Sequence, residues 1–207
     1  MQGLPHHLVI FAREPRLGRV KRRLARDIGD HAAFAFYRDQ LRGLLRALGR
    51  DPRWTTWLAV TPDAAAARPI WPPRIPVFGQ GEGDLGQRMA RVFASLPPGP
   101  ALIVGSDIPR IGRGDVARAF RSLGRAEATL GPSGDGGYWL VGLRRLRPQP
   151  PDLFAGVRWS GPYAYDDTLA TLPAGWRIGQ EPVLEDVDTG GDYHRLMGTL
   201  AAREVRS

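Results

Sequence analysis

Residues 8–12, LVIFA, form an unbroken apolar run that stops at the polar, glycine- and proline-containing stretch REPRLGRVKRR. An apolar run of strand length without alternation is the pattern of a strand buried on both faces. From Asp30 the period changes: Phe34, Tyr37, Leu41, Leu44, Leu45 and Leu48 recur at three- and four-residue steps. That spacing predicts a helix over 30–48, with Asp30 as its cap. WTTWLAV at 54–60 and IPVFG at 75–79 read as the second and third strands. Leu85, Met89, Val92, Phe93 and Leu96 mark a helix, ALIVG at 101–105 a fourth buried strand, and Val116 to Leu123 another helix. The last third is less regular, with a helix expected near 162–172 and a strand near 182–187.

Strands alternating with helices at these lengths predict βαβ units and an α/β fold with a mostly parallel central sheet flanked by helices. In such sheets ligands sit beyond the carboxyl ends of the strands. Three segments therefore carry the candidate chemistry: residues 13–23, 106–110 and 131–138.

Composition narrows the class. The 207 residues, 43% of them hydrophobic, suit one domain over 1–207 with its core at about 7–197. No apolar stretch approaches the roughly 20 residues of a membrane span. Met1 to His7 lacks a charged start followed by an apolar stretch, so a cytoplasmic enzyme is the expectation. The absence of cysteine excludes disulfides, thiolate metal sites and a cysteine nucleophile.

The charge is local. Residues 13–26 hold seven basic residues against Glu14, six of the chain's eight net positive charges. The remainder carries only about +2 and has no basic runs interleaved with aromatics, which argues against nucleic acid as a partner. Of the 29 basic residues only Lys21 is a lysine. Lysine offers a compact ammonium and arginine a planar fork, so the two differ where phosphate oxygens are bound.

Arg19, Lys21 and Arg23 follow the first strand and are placed to reach phosphates, with backbone N–H groups near Gly18 adding donors. The same residues also suit a solvated basic turn, and no Walker A pattern surrounds Lys21. Asp107 in GSDIP stands just past the strand ALIVG, where one carboxylate can hold a divalent cation that also binds substrate phosphates. A turn cap is the structural alternative. EDVDTGGD at 185–192 offers Asp188 as a second metal carboxylate and Asp192 as a cap for the final helix. GDGGYW at 134–139 sets Asp135 among glycines that permit close approach of a ligand, and equally makes a hairpin turn.

GEGDLG at 81–86 matches a dinucleotide-binding fingerprint, but Glu82 and Asp84 would set two carboxylates against a pyrophosphate. Ser106 and Ser133 lie outside any G-x-S-x-G, and the four histidines have no metal or triad spacing.

Read together, LVIFAREPRLGRVKRRL, GDLGQRM, GSDIP, GPSGDGGYWL, RWS and EDVDT resemble a bacterial glycosyltransferase A-like family, domain of unknown function 2064. Some of its members are named arsenosugar-biosynthesis glycosyltransferases. More distantly the chain is similar to the guanylyltransferases of molybdenum-cofactor and 2-phospho-L-lactate metabolism. The resemblance implies a Rossmann-like nucleotide-diphospho-sugar transferase fold with the nucleotide over the first loop, Mg²⁺ or Mn²⁺ as cofactor, and a small-molecule acceptor. It implies that Gly18, Lys21 and Arg23 bind phosphates, that Asp107 and Asp188 hold metal, and that Asp84, Arg88, Asp135 and Tyr138 line the donor or acceptor side. The implied reaction is glycosyl transfer, with Lys21, Arg23, Asp107 and Asp135 as its catalytic set; the alternative is nucleotidyl transfer from a nucleoside triphosphate. The family usually has Thr where Arg22 stands and an acidic residue where Gly134 stands.

Overall fold

The structure, a computed structural model, describes residues 4–109 and 111–204, with side chains to residue 199. Seven strands form one sheet: β1 (His7–Arg13), β2 (Thr55–Thr61), β3 (Val77–Gly79), β4 (Ala101–Gly105), β5 (Ala128–Pro132), β6 (Tyr138–Leu143) and β7 (Ile178–Gln180). Their order is β3-β2-β1-β4-β6-β5-β7. All neighbouring pairs are parallel except those of β6, which runs antiparallel to both β4 and β5. The antiparallel insertion follows from the GDGG turn, which folds β6 back on β5 as a hairpin.

The helices are α1 (Arg22–Ile28), α2 (Asp30–Leu48), α3 (Leu85–Ser95), α4 (Arg113–Leu123), α5 (Ala164–Ala170) and α6 (Gly190–Glu204). Alternate residues of β1 serve opposite faces. Leu8 and Ile10 pack with Leu41, Leu45 and Leu48 of α2 and with Phe120 of α4. Val9 and Phe11 pack with Met89, Val92 and Phe93 of α3. Two covered faces explain why the strands read as continuous apolar runs rather than as alternation.

Three expectations need correction. Asp30 is the first residue of α2 rather than its cap; Gly29, at φ 86°, holds the cap position without a side-chain bond. The seven-residue α1 was not expected, since Leu24 is its one buried residue. The final strand lies at 178–180; residues 182–187 run on past it, and only Leu184 bridges, to Ser133. Pro182 has no N–H to give a ladder there. Among the described residues no helix is long and apolar enough to cross a membrane.

Candidate functional site

Because β1 and β4 are parallel neighbours, the segments that leave their carboxyl ends meet at one edge of the sheet. A cleft of about 630 Å³ opens there, lined by Arg13, Arg19, Lys21, Arg23, Asp107 and Asp188. Leu85 and Arg88, from the first turn of α3, also line it.

Tyr37 of α2 ties the two strand ends together. Its hydroxyl donates to the Arg13 carbonyl at 2.8 Å, accepts from the Arg13 N–H at 2.9 Å, and lies 3.3 Å from Ser106 Oγ. Burial, helped by the Asp107 charge, pushes the phenol well above its usual range, so it stays a neutral donor. Gln40, a turn further along α2, donates to the Ser106 carbonyl at 2.7 Å. Within the first loop, buried Glu14 holds Arg16 at 3.3 Å and Arg68 at 2.5 Å. Arg16 is thereby drawn back onto the first loop, whereas Arg19 and Arg23 line the cleft.

Lys21 lies at the centre. Its Nζ is 3.0 Å from Asp107 Oδ1 and 2.8 Å from Asp188 Oδ1, and its side chain is only 4% exposed. Burial alone would lower the ammonium's pKa, but the charges and hydrogen bonds of Asp107 and Asp188 outweigh it and hold the group above the ordinary lysine value. A compact tetrahedral ammonium brings two carboxylates to a single atom, whereas a planar guanidinium, as Arg118 shows with Asp115 and Glu181, holds two carboxylates on separate nitrogens and so farther apart. The backbone of Lys21 is left-handed, φ 46° and ψ 46°, a conformation that costs a non-glycine residue about 1–2 kcal/mol. The surrounding contacts hold it there, as is common at binding sites.

Asp188 is itself held from α6: Asp192 accepts from the backbone N–H of Asp188 at 3.1 Å and of Thr189 at 2.8 Å. Asp192 is thus the third residue of α6 rather than its cap: Thr189 flanks the helix, its Oγ1 accepts from the Asp192 N–H at 3.3 Å, and the Asp192 carboxylate reaches back to it. Arg23 approaches Asp188 to 3.8 Å. Gly18, at φ 71°, shapes the turn in which Arg19 N–H donates to the Arg16 carbonyl, and does not itself line the cleft.

The remaining candidates divide. Asp84 caps α3 in a reciprocal capping box with Gln87, so GEGDLG is a helix start whose exposed N–H is taken by its own carboxylate. That leaves no welcome for a pyrophosphate. Arg88 lines the cleft with its Nε buried and unpartnered among the described residues. Asp135 and Tyr138 are not in the lining. Asp135 accepts from Ser133 Oγ at 2.6 Å and Gly137 N–H at 3.0 Å, holding its own turn. The Tyr138 hydroxyl is turned into the interior beside Thr168 and Met89, and burial pushes its pKa up. A Cβ at Gly134 would lie 2.6 Å from a Glu185 oxygen, so a carboxylate from residue 185 stands where the resemblance implies one from 134.

Asp186 was not singled out by the sequence. Burial and the nearby charges of Asp188 and Asp135 push its carboxyl up to about 6, against the opposing pull of Lys21. No sequence signal separates it from its acidic neighbours.

Asp107 and Asp188 fit a small, hard divalent cation in part. Both are oxygen donors and already converge on one positive group, and magnesium commonly takes one or two carboxylates with phosphate and water completing its shell. Among the described residues no cluster of three or more metal-ligating side chains exists.

A protein-family model described as "Uncharacterized protein conserved in bacteria (DUF2064)" matches residues 44–161. A solved structure from Desulfovibrio desulfuricans G20, provisionally described as a nucleotide-diphospho-sugar transferase, has a TM-score of 0.83 at 28% identity, over 92% of this chain and 85% of its own. Rv0371c from Mycobacterium tuberculosis H37Rv, solved as a manganese complex, has a TM-score of 0.57 at 19% identity, over 94% of this chain and 98% of its own. A CMP:2-keto-3-deoxy-manno-octonic acid synthetase complexed with CTP has a TM-score of 0.58 at 13% identity, over 97% of this chain and all of its own. The curated proteins gave no match. The fold is that of the nucleotide-diphospho-sugar transferases.

Proposed function

The chain belongs to the DUF2064 family, and from that premise we propose that it is a nucleotide-using transferase that moves a glycosyl group from a nucleotide-diphospho-sugar to a small acceptor, with Mg²⁺ or Mn²⁺. One solved neighbour is provisionally described as a nucleotide-diphospho-sugar transferase and another is a synthetase complexed with CTP, which supports enzyme status and a nucleotide donor. The observation that carries the reading is the convergence of Asp107 and Asp188 on Lys21, in a cleft whose other walls carry arginines that are unpaired or weakly paired among the described residues.

Asp107 and Asp188 would hold the cation, which when bound supplies charge neutralisation on a diphosphate leaving group. Arg19 and Arg23, exposed on the cleft wall, take phosphate oxygens through charge-assisted hydrogen bonds. Lys21 keeps the two carboxylates together and adds positive charge at the phosphate end. The proton of an acceptor hydroxyl would pass to Asp186, two residues before Asp188, whose carboxyl, raised to about 6, is basic enough to take it and still ionised near neutrality.

One observation favours nucleotidyl transfer as the second reading. Arg13, Arg19, Lys21, Arg22, Arg23 and Arg88 line the cleft against two carboxylates, Asp107 and Asp188, an excess of positive charge that suits a triphosphate.

A thermal-shift panel of nucleoside diphosphates, triphosphates and nucleotide sugars, each with and without Mg²⁺ or Mn²⁺, tests the reading, because a ligand of the folded state raises its stability. Metal-dependent stabilisation by one nucleotide is expected. Asp107→Asn is expected to cut turnover roughly 100-fold or more with the fold intact. Unchanged turnover would remove Asp107 from the site, and pyrophosphate release from a triphosphate would select the second reading.

A further inference from the structure

Outside the cleft, the most distinctive surface is a groove of about 780 Å³ between α2 and the segment 70–75 that leads into β3. Its floor is apolar: Leu41 and Leu45 from α2, with Trp71 and Ile75 opposite, all buried or nearly so. Its walls are basic. Arg38, Arg42, Arg46 and Arg50 follow one another at four-residue steps, and Arg74 faces them from the other side. Four helical residues advance about 6 Å, so Arg38, Arg42 and Arg46 are evenly spaced along α2, and Arg50 follows two residues past the helix end.

Several arginines elsewhere meet carboxylates: Arg53 meets Asp51 at 2.7 Å, Arg118 meets Glu181 at 2.9 Å, and Arg158 meets Asp167 at 2.8 Å. Outside the cleft, this row gathers arginines with little such pairing beside an apolar floor. No acidic residue lines the groove. Arg38 and Arg42 lean only on Asp39, at 3.0 and 3.9 Å. Arg46, Arg50 and Arg74 have no ion pair among the described residues. A row of like charges beside an apolar trough is complementary to a surface that is acidic and apolar in the same register.

The shape selects among anionic occupants. A concave apolar floor takes a convex apolar ridge, whereas a bilayer surface calls for protruding apolar side chains, and Ile70 is the only groove residue that is a large exposed hydrophobic. Base stacking needs an exposed aromatic face; Trp71 is 9% exposed with its N–H given to the Ala65 carbonyl, and the partly buried Phe34 ring carries the Arg38 guanidinium 5.7 Å from its centroid. An amphipathic helix meets every term: an apolar ridge for the floor, and carboxylates at the same 6 Å pitch for the arginines.

We propose that this groove is a docking surface for a partner protein's amphipathic helix, carrying Glu or Asp at four-residue steps beside an apolar ridge. The inference is independent of the reaction assigned to the cleft.

The test titrates the full chain against a fluorescent peptide of about four helical turns, with leucines on one face and glutamates every fourth residue beside them. Saturable binding is expected, weakening with salt. Arg42→Glu, Arg46→Glu and Arg50→Glu combined should weaken it roughly tenfold or more, since each exposed pair alone contributes little. The corresponding triple Arg→Gln variant, with charge removed rather than reversed, should show a smaller loss, and thermal melts of both variants check that they remain folded. No binding, equal binding by a glutamine version of the peptide, or undiminished binding by the folded variants would overturn the proposal. Binding to anionic phosphatidylserine vesicles without binding to the peptide would also overturn it, in favour of a lipid surface.

Discussion

Two regions of this protein concentrate positive charge and use it in opposite ways. In the cleft, one ammonium is buried between two carboxylates on a strained backbone. Along α2, a row of guanidinium groups stands at the surface with one carboxylate among them. Burial makes the first arrangement demanding: a charge removed from water needs partners at the right distance, and the partners fix the residue type. Exposure makes the second tolerant, because water solvates each arginine whatever its neighbours do. A chain that writes nearly all its positive charge as arginine therefore retains its single lysine where charge is enclosed.

The comparison is broken most severely at Lys21. Lys21→Met leaves Asp107 and Asp188 facing each other, and a loss of about 2 kcal/mol is expected. This is less than the ~3–5 for a fully buried pair, because both carboxylates remain partly solvated. For a chain of this size that lowers Tm by roughly 4–8 °C. Lys21→Arg keeps the charge and loses the fit, so about half that drop and a clear loss of nucleotide affinity should follow. A Lys21→Arg protein matching the parent in both measurements would make the lone lysine an accident of composition.

A smaller effect is expected at Asp186. Its folded-state pKa, about 6, lies above the ordinary carboxyl value of 3.8. The folded protein thus holds the proton more tightly than the unfolded chain, and the residue's effect on stability becomes less favourable as pH rises from about 4 to about 6. Without added metal, Asp186→Asn should gain Tm over the parent through that window and level off above it. The gain should be about 2–4 °C after allowing for solvent screening of a half-exposed group. A pH-independent difference would show that Asp186 is not raised. The least effect belongs to the arginine row: Arg46→Gln should change stability by no more than about 0.5 kcal/mol, measured by urea melt.

Much of the framework was readable because it rests on local periodicity. The helix over 30–48 and the strand over 101–105 lie where their apolar spacing predicts. The edge of the sheet follows from strand order, and with it the position of Asp107. Short elements held by tertiary contact were not readable. α1 has no apolar period and is fastened by Asp27, whose carboxylate accepts the Gly190 N–H at 2.7 Å. β7 consists of Ile178, Gly179 and Gln180, which are exposed or half-exposed, so no alternation announces it.

The sequence by itself determined the α/β alternation, the two-faced burial of the strands, and which loops gather at the carboxyl edge, since these depend on residue order and period alone. Only the tertiary structure decided that residue 188 would meet residue 21, that Glu185 would stand beside Gly134, and that Asp135 and Tyr138 would turn away from the cleft. Those outcomes depend on distances between segments far apart in the chain, and on which charges are removed from water together. Neither quantity is written in any local stretch of residues.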